Sequence, residues 1–260
     1  MKLNNPSGKS SMNGGGKKDF IRIMTYNVHR WKGMDGKISP WRIFDVIKHY
    51  TPDIVALQEV TRGQINHTEN QLDLVAGNLS MSCHFHPSCK IRGEDFGNAI
   101  LSHFPMRLLK AGPLPSLPDR PYLEPRSVIW VEIKAGNSSM QVFNTHLGLN
   151  RQERIVQADA LISTEWVGNP ACHEPIVICG DLNSRPATPA YRRLASSFKD
   201  VQVAAANHRP RKTWSGLSPL FRIDHILVSP LCVVGKVKVG NTRRARMASD
   251  HLPLVVDLHI

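Results

Sequence analysis

The chain repeats one pattern. A short, apolar, β-branched run stops at a residue that can ligate a metal or carry a proton. Asn27 ends Phe20-Ile21-Arg22-Ile23-Met24-Thr25-Tyr26, and Glu59 follows Asp53-Ile54-Val55-Ala56-Leu57-Gln58. His146 follows Val142-Phe143-Asn144-Thr145, while Asp181 and Asn183 follow Ile176-Val177-Ile178-Cys179. Asp224 opens the run Ile226-Leu227-Val228, and Asp250-His251 precedes Leu252 to Val256. Carboxylates and imidazoles are costly to bury unless paired or metal-bound. Such a set is tolerable at strand termini only where those ends converge on one solvated cleft.

Further strands are predicted over Asn98 to Ser102, Ser127 to Lys134, Met140 to Leu147, Arg222 to Val228, Val233 to Val239 and Leu252 to Leu258. Helices are predicted from Pro40 to Tyr50, with Ser39 as N-cap and Pro40 at the first helical position, and from Glu69 to Leu79. A third spans residues 151–167, with Ile155, Ala158, Leu161, Ile162 and Trp166 near one face. Many strands with few helices and no dinucleotide-binding glycine fingerprint point to two sheets packed face to face, with helices outside. Residues 1–18, rich in Gly, Ser, Asn and Lys, read as a flexible basic tail, and 19–260 as a single domain.

With 41 % hydrophobic and 21 % charged residues among 260, the composition is that of a soluble globular protein and excludes collagen-like, disordered and membrane-bundle classes. No run approaches the ~20 apolar residues of a membrane span, and the N-terminus has no signal-peptide core, so the expected location is cytoplasmic. The formal charge of +12 favours a polyanionic partner. Five scattered cysteines do not form a disulfide framework. Cys83-His84-Phe85-His86-Pro87-Ser88-Cys89 lacks zinc-site spacing and reads as a strand end and turn with incidental polar groups.

The oxygen donors at the strand ends suit Mg²⁺, with Mn²⁺ as a substitute, rather than zinc or copper. Two histidines beside such an ion point to proton transfer or to charge stabilisation on a phosphoryl oxygen. The segments Thr25-Tyr26-Asn27, Leu57-Gln58-Glu59-Val60, Gly97-Asn98-Ala99-Ile100-Leu101-Ser102, Thr145-His146-Leu147, Gly180-Asp181-Leu182-Asn183, Arg222-Ile223-Asp224-His225-Ile226 and Ser249-Asp250-His251-Leu252-Pro253-Leu254 resemble, in order, the endonuclease/exonuclease/phosphatase superfamily.

The resemblance implies a four-layer α/β/β/α sandwich of two packed mixed sheets, with the site at one edge. It implies Glu59 as the principal Mg²⁺ ligand, with Asn27 and Asp250 close to the ion. Asp181 and Asn183 would position the attacking water and the phosphate, and His251 would contact the scissile phosphate. Either Asp181 or His251 would take the water's proton. His146 would be the general acid, with Asp224 fixing its tautomer, and Arg126 a phosphate contact. Asn98 is either near the phosphate or a hydrogen-bonded turn residue.

The basic run Thr242-Arg243-Arg244-Ala245-Arg246 lies just before Asp250, which makes Arg243, Arg244 and Arg246 candidates for guiding a phosphate backbone. Trp214 is either a cleft or a core aromatic, and His225 is either packed on the sheet or in touch with the site. The leading expectation is a Mg²⁺-dependent phosphodiesterase on DNA or RNA. The alternative is an enzyme on a phospholipid or small phosphate, for which Leu217 to Phe221 would supply an exposed apolar loop for peripheral lipid contact. A non-catalytic nucleic-acid-binding module is the alternative from another class. No protein partner is evident.

Overall fold

The computed structural model describes residues 19–63 and 70–260; the basic N-terminal segment and Glu69 lie outside these described residues. The chain runs β1 (Ile21–Asn27), α1 (Pro40–Tyr50), β2 (Ile54–Thr61), α2 (Gln71–Leu79), β3 (Ser82–Ile91), β4 (Glu94–Ser102), β5 (Met106–Pro113), β6 (Ser127–Ala135) and β7 (Ser138–His146). It continues through α3 (Arg151–Ile162), β8 (Ile176–Asp181), α4 (Pro189–Ala195), β9 (Lys199–Asp200), α5 (Val201–Ala204), β10 (Asp224–Val228), β11 (Val233–Val239), α6 (Arg243–Ala248) and β12 (Leu254–His259). The strands form two six-stranded mixed sheets, ordered β11-β12-β1-β2-β4-β3 and β5-β6-β7-β8-β10-β9. Near the middle of each lies one parallel pair, β1 with β2 and β7 with β8; a helix on the outer face makes each crossover.

Strand alternation sorts the apolar side chains into three layers. Ile23, Ile54, Ile100 and Val256 of the first sheet meet Ile129, Val142, Val177 and Ile226 of the second in a continuous inner core. The opposite faces of the same strands carry Met24, Val55 and Leu101 against Ile43, Ile47 and Val75 of α1 and α2. On the far side, Trp130, Phe143 and Ile178 pack against Leu161 and Leu194 of α3 and α4. This is the four-layer sandwich expected from the sequence.

Several boundaries differ from expectation. Cys83 to Cys89 is not a strand end but the body of β3, and a register shift between Pro87 and Cys89 accommodates the proline. β3 is an edge strand, where a missing N–H costs little. The third helix stops at Ile162 because the Ser163 side chain bonds Ala160 O and Ser163 turns extended. The basic run at residues 243–248, for which no element is predicted, is a short helix capped by Thr242.

The two sheets are also joined by buried polar groups. Gln58 Nε2 donates to Asn144 Oδ1 at 2.7 Å, and Asn144 Nδ2 donates to the carbonyls of Leu57 and Ala99, each at 2.8 Å. A second buried cluster anchors β10. The Asp200 carboxylate accepts from Arg222 (2.7 Å), Tyr191 Oη (2.8 Å), His225 Nδ1 (3.1 Å) and the backbone N–H of Gln202 (2.8 Å). His225 is thereby a structural residue, its Nε2 bonded to Ser184 O.

Burial alone would raise the Asp200 pKa, but His225, Arg222 and Tyr191 together outweigh it and hold the carboxyl at about 2. The pKa is depressed from about 3.9 in the unfolded chain, so its contribution is fully present above that value and is lost as pH falls through about 2. Asp200→Asn should cost about 3 kcal/mol at pH 7 and lower the melting temperature by roughly 5–10 °C. The melting-temperature gap between wild type and variant should narrow as pH is lowered from 4 towards 2. A gap that stays constant over that range would show that the carboxylate charge does not carry the effect.

Candidate active site

Strand ends from both sheets meet at one cleft of about 610 Å³, lined by Glu59, Arg126, His146, Asp181, Asn183, Asp250 and His251 among others. Local backbone geometry aims these groups. Glu59 sits at the register shift between Leu57 and Val60 of the β2–β4 ladder, with φ +54°. That bulge turns its side chain out of the strand's regular alternation. Asn183 also has positive φ (+46°), and its backbone N–H donates to Asp181 Oδ1 at 2.9 Å. Gly180 precedes Asp181 because a Cβ there would collide with the Thr145 carbonyl of β7. Only glycine lets β8 lie close enough to β7 for His146 to stand opposite Asp181.

Asp181 is the hub. It is buried, and its Oδ2 receives Asn27 Nδ2 from the first sheet at 3.1 Å. The same oxygen lies 3.4 Å from His146 Nε2 and 3.6 Å from His251 Nε2. Asn27 Nδ2 also donates to Glu59 Oε1 at 2.9 Å, while its Oδ1 accepts the His29 N–H at 3.0 Å. Asn27 therefore lies beside the carboxylates, offers them its amide hydrogens and ties Glu59 to Asp181. Asp250 Oδ2 accepts from Trp214 Nε1 at 3.2 Å, and its Oδ1 lies 3.4 Å from His29 Nδ1.

The expected pairing of Asp224 with His146 is corrected by the structure. Asp224 accepts from His251 Nδ1 at 2.9 and 3.1 Å. The reason is topological. His146 ends β7 and Asp224 begins β10, and β8 lies between them. Two strand spacings of about 4.8 Å separate the two residues. His146 is instead oriented by Arg126, whose guanidinium donates to Nδ1 at 2.9 Å. Asn183 Nδ2 lies 3.0 Å from the other ring nitrogen, Nε2, so a donor group flanks each side of the imidazole.

The electrostatics follow from these partners. Burial, then Arg126 and His251, drive the His146 pKa well down, which keeps the ring neutral. Burial opposes charge on His251, but Asp224 and Asp181 prevail and raise its pKa to about 10. Burial raises the Asp181 pKa, and the neighbouring His251 works against that rise. Asp181 and His251 share charge as an acid–base pair, whereas His146 stays neutral.

Arg126, buried, is also paired with Glu124 at 2.7 Å. Asn98 donates to Ser127 O at 3.0 Å, next to Arg126; it supports that arginine's strand and does not line the cleft. Arg243 and Arg244 line a separate recess with Arg42 and Asp45 of α1, and Arg246 bonds Asn241. None of the three lines the cleft, because α6 packs on α1 over the outer face of the first sheet. Trp214 does line it, stacked on Phe221 at 5.8 Å. The cleft further exposes Arg30, Glu124, Leu149, Arg154 and Arg185, which the sequence reading did not assign to the site. Arg185, two residues beyond Asn183, carried the only local signal.

The donor set fits a hard divalent cation. Glu59, Asp181 and Asp250 bring carboxylate oxygens to one cleft, and no cysteine lines it among the described residues. One ligand atom from each of Asp181, Asp224 and His251 lies within 4.8 Å of the others.

A model of the endonuclease/exonuclease/phosphatase family matches residues 24–251. The chain belongs to that family. Its members are phosphoester hydrolases, and the chain is one. It is 24 % identical over 256 residues to the uncharacterized protein YbhP of Escherichia coli (strain K12), covering 92 % of this chain and 96 % of that protein. A conserved protein of unknown function from Enterococcus faecalis V583 shares the fold at TM-score 0.74 and 20 % identity, over 92 % of this chain and 99 % of that one. The mannosyl-6-phosphatase Bt3783 of Bacteroides thetaiotaomicron VPI-5482 shares it at TM-score 0.72 and 22 % identity, over 92 % and 100 %. Belonging to a family of hydrolases sets aside the non-catalytic binding module.

The pairing makes a testable distinction. With bis(p-nitrophenyl) phosphate, Asp224→Asn should lower kcat by about 10²-fold or more. Combining it with His251→Ala should cost little beyond His251→Ala alone, because the two act as a unit. Fully additive losses would show that Asp224 does not act through His251.

Proposed function

We propose that the chain is a Mg²⁺-dependent phosphodiesterase that hydrolyses nucleic acid by attack of water on phosphorus. The observation that carries this reading is the Asp181 hub. One buried carboxylate is held by an amide from the opposite sheet and faces two histidines of different protonation, in a cleft that also contains Arg30, Arg126, Arg154 and Arg185. The +12 charge supports a polyanionic substrate.

A divalent cation held by Glu59, with Asp250 and Asp181 beside it, would supply Lewis-acid stabilisation of a phosphoryl oxygen. The protein's own groups perform the rest. Asn183 and Asp181 orient the attacking water, and the Asp181–His251 pair accepts its proton, with Asp224 keeping Nδ1 of His251 occupied. His146, held by Arg126 at Nδ1 and Asn183 at Nε2, stabilises the phosphoryl oxygen as negative charge grows there.

A phospholipid phosphodiester is a second reading, favoured by one observation. Leu149 at the cleft, and Leu217, Leu220 and Phe221 on the neighbouring loop, are exposed, as an enzyme working at a lipid surface requires.

The deciding assay sets the purified protein with Mg²⁺ or Mn²⁺ against plasmid, single-stranded DNA, RNA and phospholipid vesicles. Nucleic-acid cleavage that falls steeply as salt rises, is lost on chelation and is nearly abolished in Glu59→Gln is the expected result. Turnover confined to vesicles and indifferent to salt would transfer the assignment to the lipid. Full activity of Glu59→Gln would remove Glu59 from the cation site.

A further inference from the structure

The arginines in the cleft are not equivalent. Arg126 is neutralised by Glu124 and spends one N–H on His146. Arg154 and Arg185 have no carboxylate partner among the described residues. Arg154 stands on the first turn of α3, half-buried, and its Nη1 donates to the carbonyls of Gly148 (3.2 Å) and Leu149 (2.6 Å). Those bonds hold the guanidinium at the wall of the cleft, within the electrostatic reach of Glu153 and Asp181. Arg185 lies over the Phe221 ring at 5.2 Å, and Phe221 is stacked on Trp214. Arg154 is thus held by carbonyls, while Arg185, exposed, rests on an aromatic face.

Their position gives them a task. A phosphodiester at the Asp181 hub is met by His146, Asn183 and His251. Arg154 and Arg185 line the same cleft without a direct ion pair of their own among the described residues, which leaves both forks for a second anion. Arginine forks bind phosphate through paired, charge-assisted hydrogen bonds. Burial also opposes the charge on Arg154, lowering its pKa, so an arriving anion relieves a cost already present.

We propose that Arg154 and Arg185 form a second phosphate subsite, so that the preferred substrate carries another phosphate group near the scissile one. This deepens the phosphodiesterase reading and rests on it. A nucleotide chain and a polyphosphorylated headgroup share that chemistry, and matched pairs of probes separate them.

Thymidine 5′-(p-nitrophenyl phosphate) and its 3′-phosphorylated form differ by one phosphate. The wild type should show a KM about tenfold lower for the latter, and this ratio should collapse towards one in Arg185→Gln and in the Arg154→Gln/Arg185→Gln double variant. Calorimetric binding of thymidine 3′,5′-bisphosphate against thymidine 5′-monophosphate reads the same subsite without turnover. Absence of hydrolysis with a retained binding ratio would therefore count against the phosphodiesterase reading and leave the subsite standing. The same comparison with inositol 1,4-bisphosphate and inositol 1-phosphate tests the headgroup source. The pair with the larger Arg185-dependent ratio names the source. Ratios near one for both pairs in the wild type, or a ratio that survives both substitutions, would overturn the subsite.

Discussion

The site depends on a hydrogen bond far from water. Gln58 and Asn144 are fully buried, one in each sheet, and between two apolar layers such amides need hydrogen-bond partners. Gln58 Nε2 donates to Asn144 Oδ1 and to Thr25 Oγ1 at 3.0 Å, and Asn144 Nδ2 donates to two first-sheet carbonyls, while Gln58 Oε1 alone of these groups finds no partner. Apolar packing would allow the sheets to slide, because burial has no direction. The amide pair fixes the slide. Gln58 adjoins Glu59, and Asn144 stands two residues before His146, so one seam sets the register between the cation side and the histidine side.

That register explains how Asp181 can be buried and useful together. Its carboxylate lies between groups that the two sheets deliver separately: Asn27 from β1, His146 from β7 and His251 ahead of β12. The sheet order β7-β8-β10 then divides the labour. His146 on one flank meets Arg126 and stays neutral, while His251, on the Asp224 side, meets a carboxylate and holds its proton. Two chemically identical side chains acquire opposite tasks from the strands that flank them.

Residues that end apolar runs were legible in the sequence, because strand alternation and the cost of burial point to a common edge. Asn27, Glu59, His146, Asp181, Asn183, Asp250 and His251 all reach it. Partnership was not legible. Which carboxylate meets which histidine depends on strand order, and no local pattern encodes that β8 lies between β7 and β10. Arg243, Arg244 and Arg246 misled for a related reason. Proximity in sequence to Asp250 placed them near the site, but a helix capped by Thr242 carries them over the outer face of the first sheet. Asn98 and His225 belong to matched segments, yet their bonds are structural.

Backbone conformation accounts for what neither pattern nor topology reveals. Glu59, Asn183 and the run His29, Arg30 and Trp31 all adopt positive φ without being glycine, and all lie at or beside the cleft. Each such residue costs of order 1 kcal/mol, which the surrounding packing must offset. The buried Trp31, whose Nε1 donates to Thr61 O at 2.8 Å, anchors one of these turns, and the Asn183 bond to Leu147 O anchors another. Regular strands would send Glu59 and Asn183 back into the alternation of their sheets, where one neighbour in two faces a core. The left-handed steps at Glu59 and Asn183 break that alternation where polar groups have to point into the cleft.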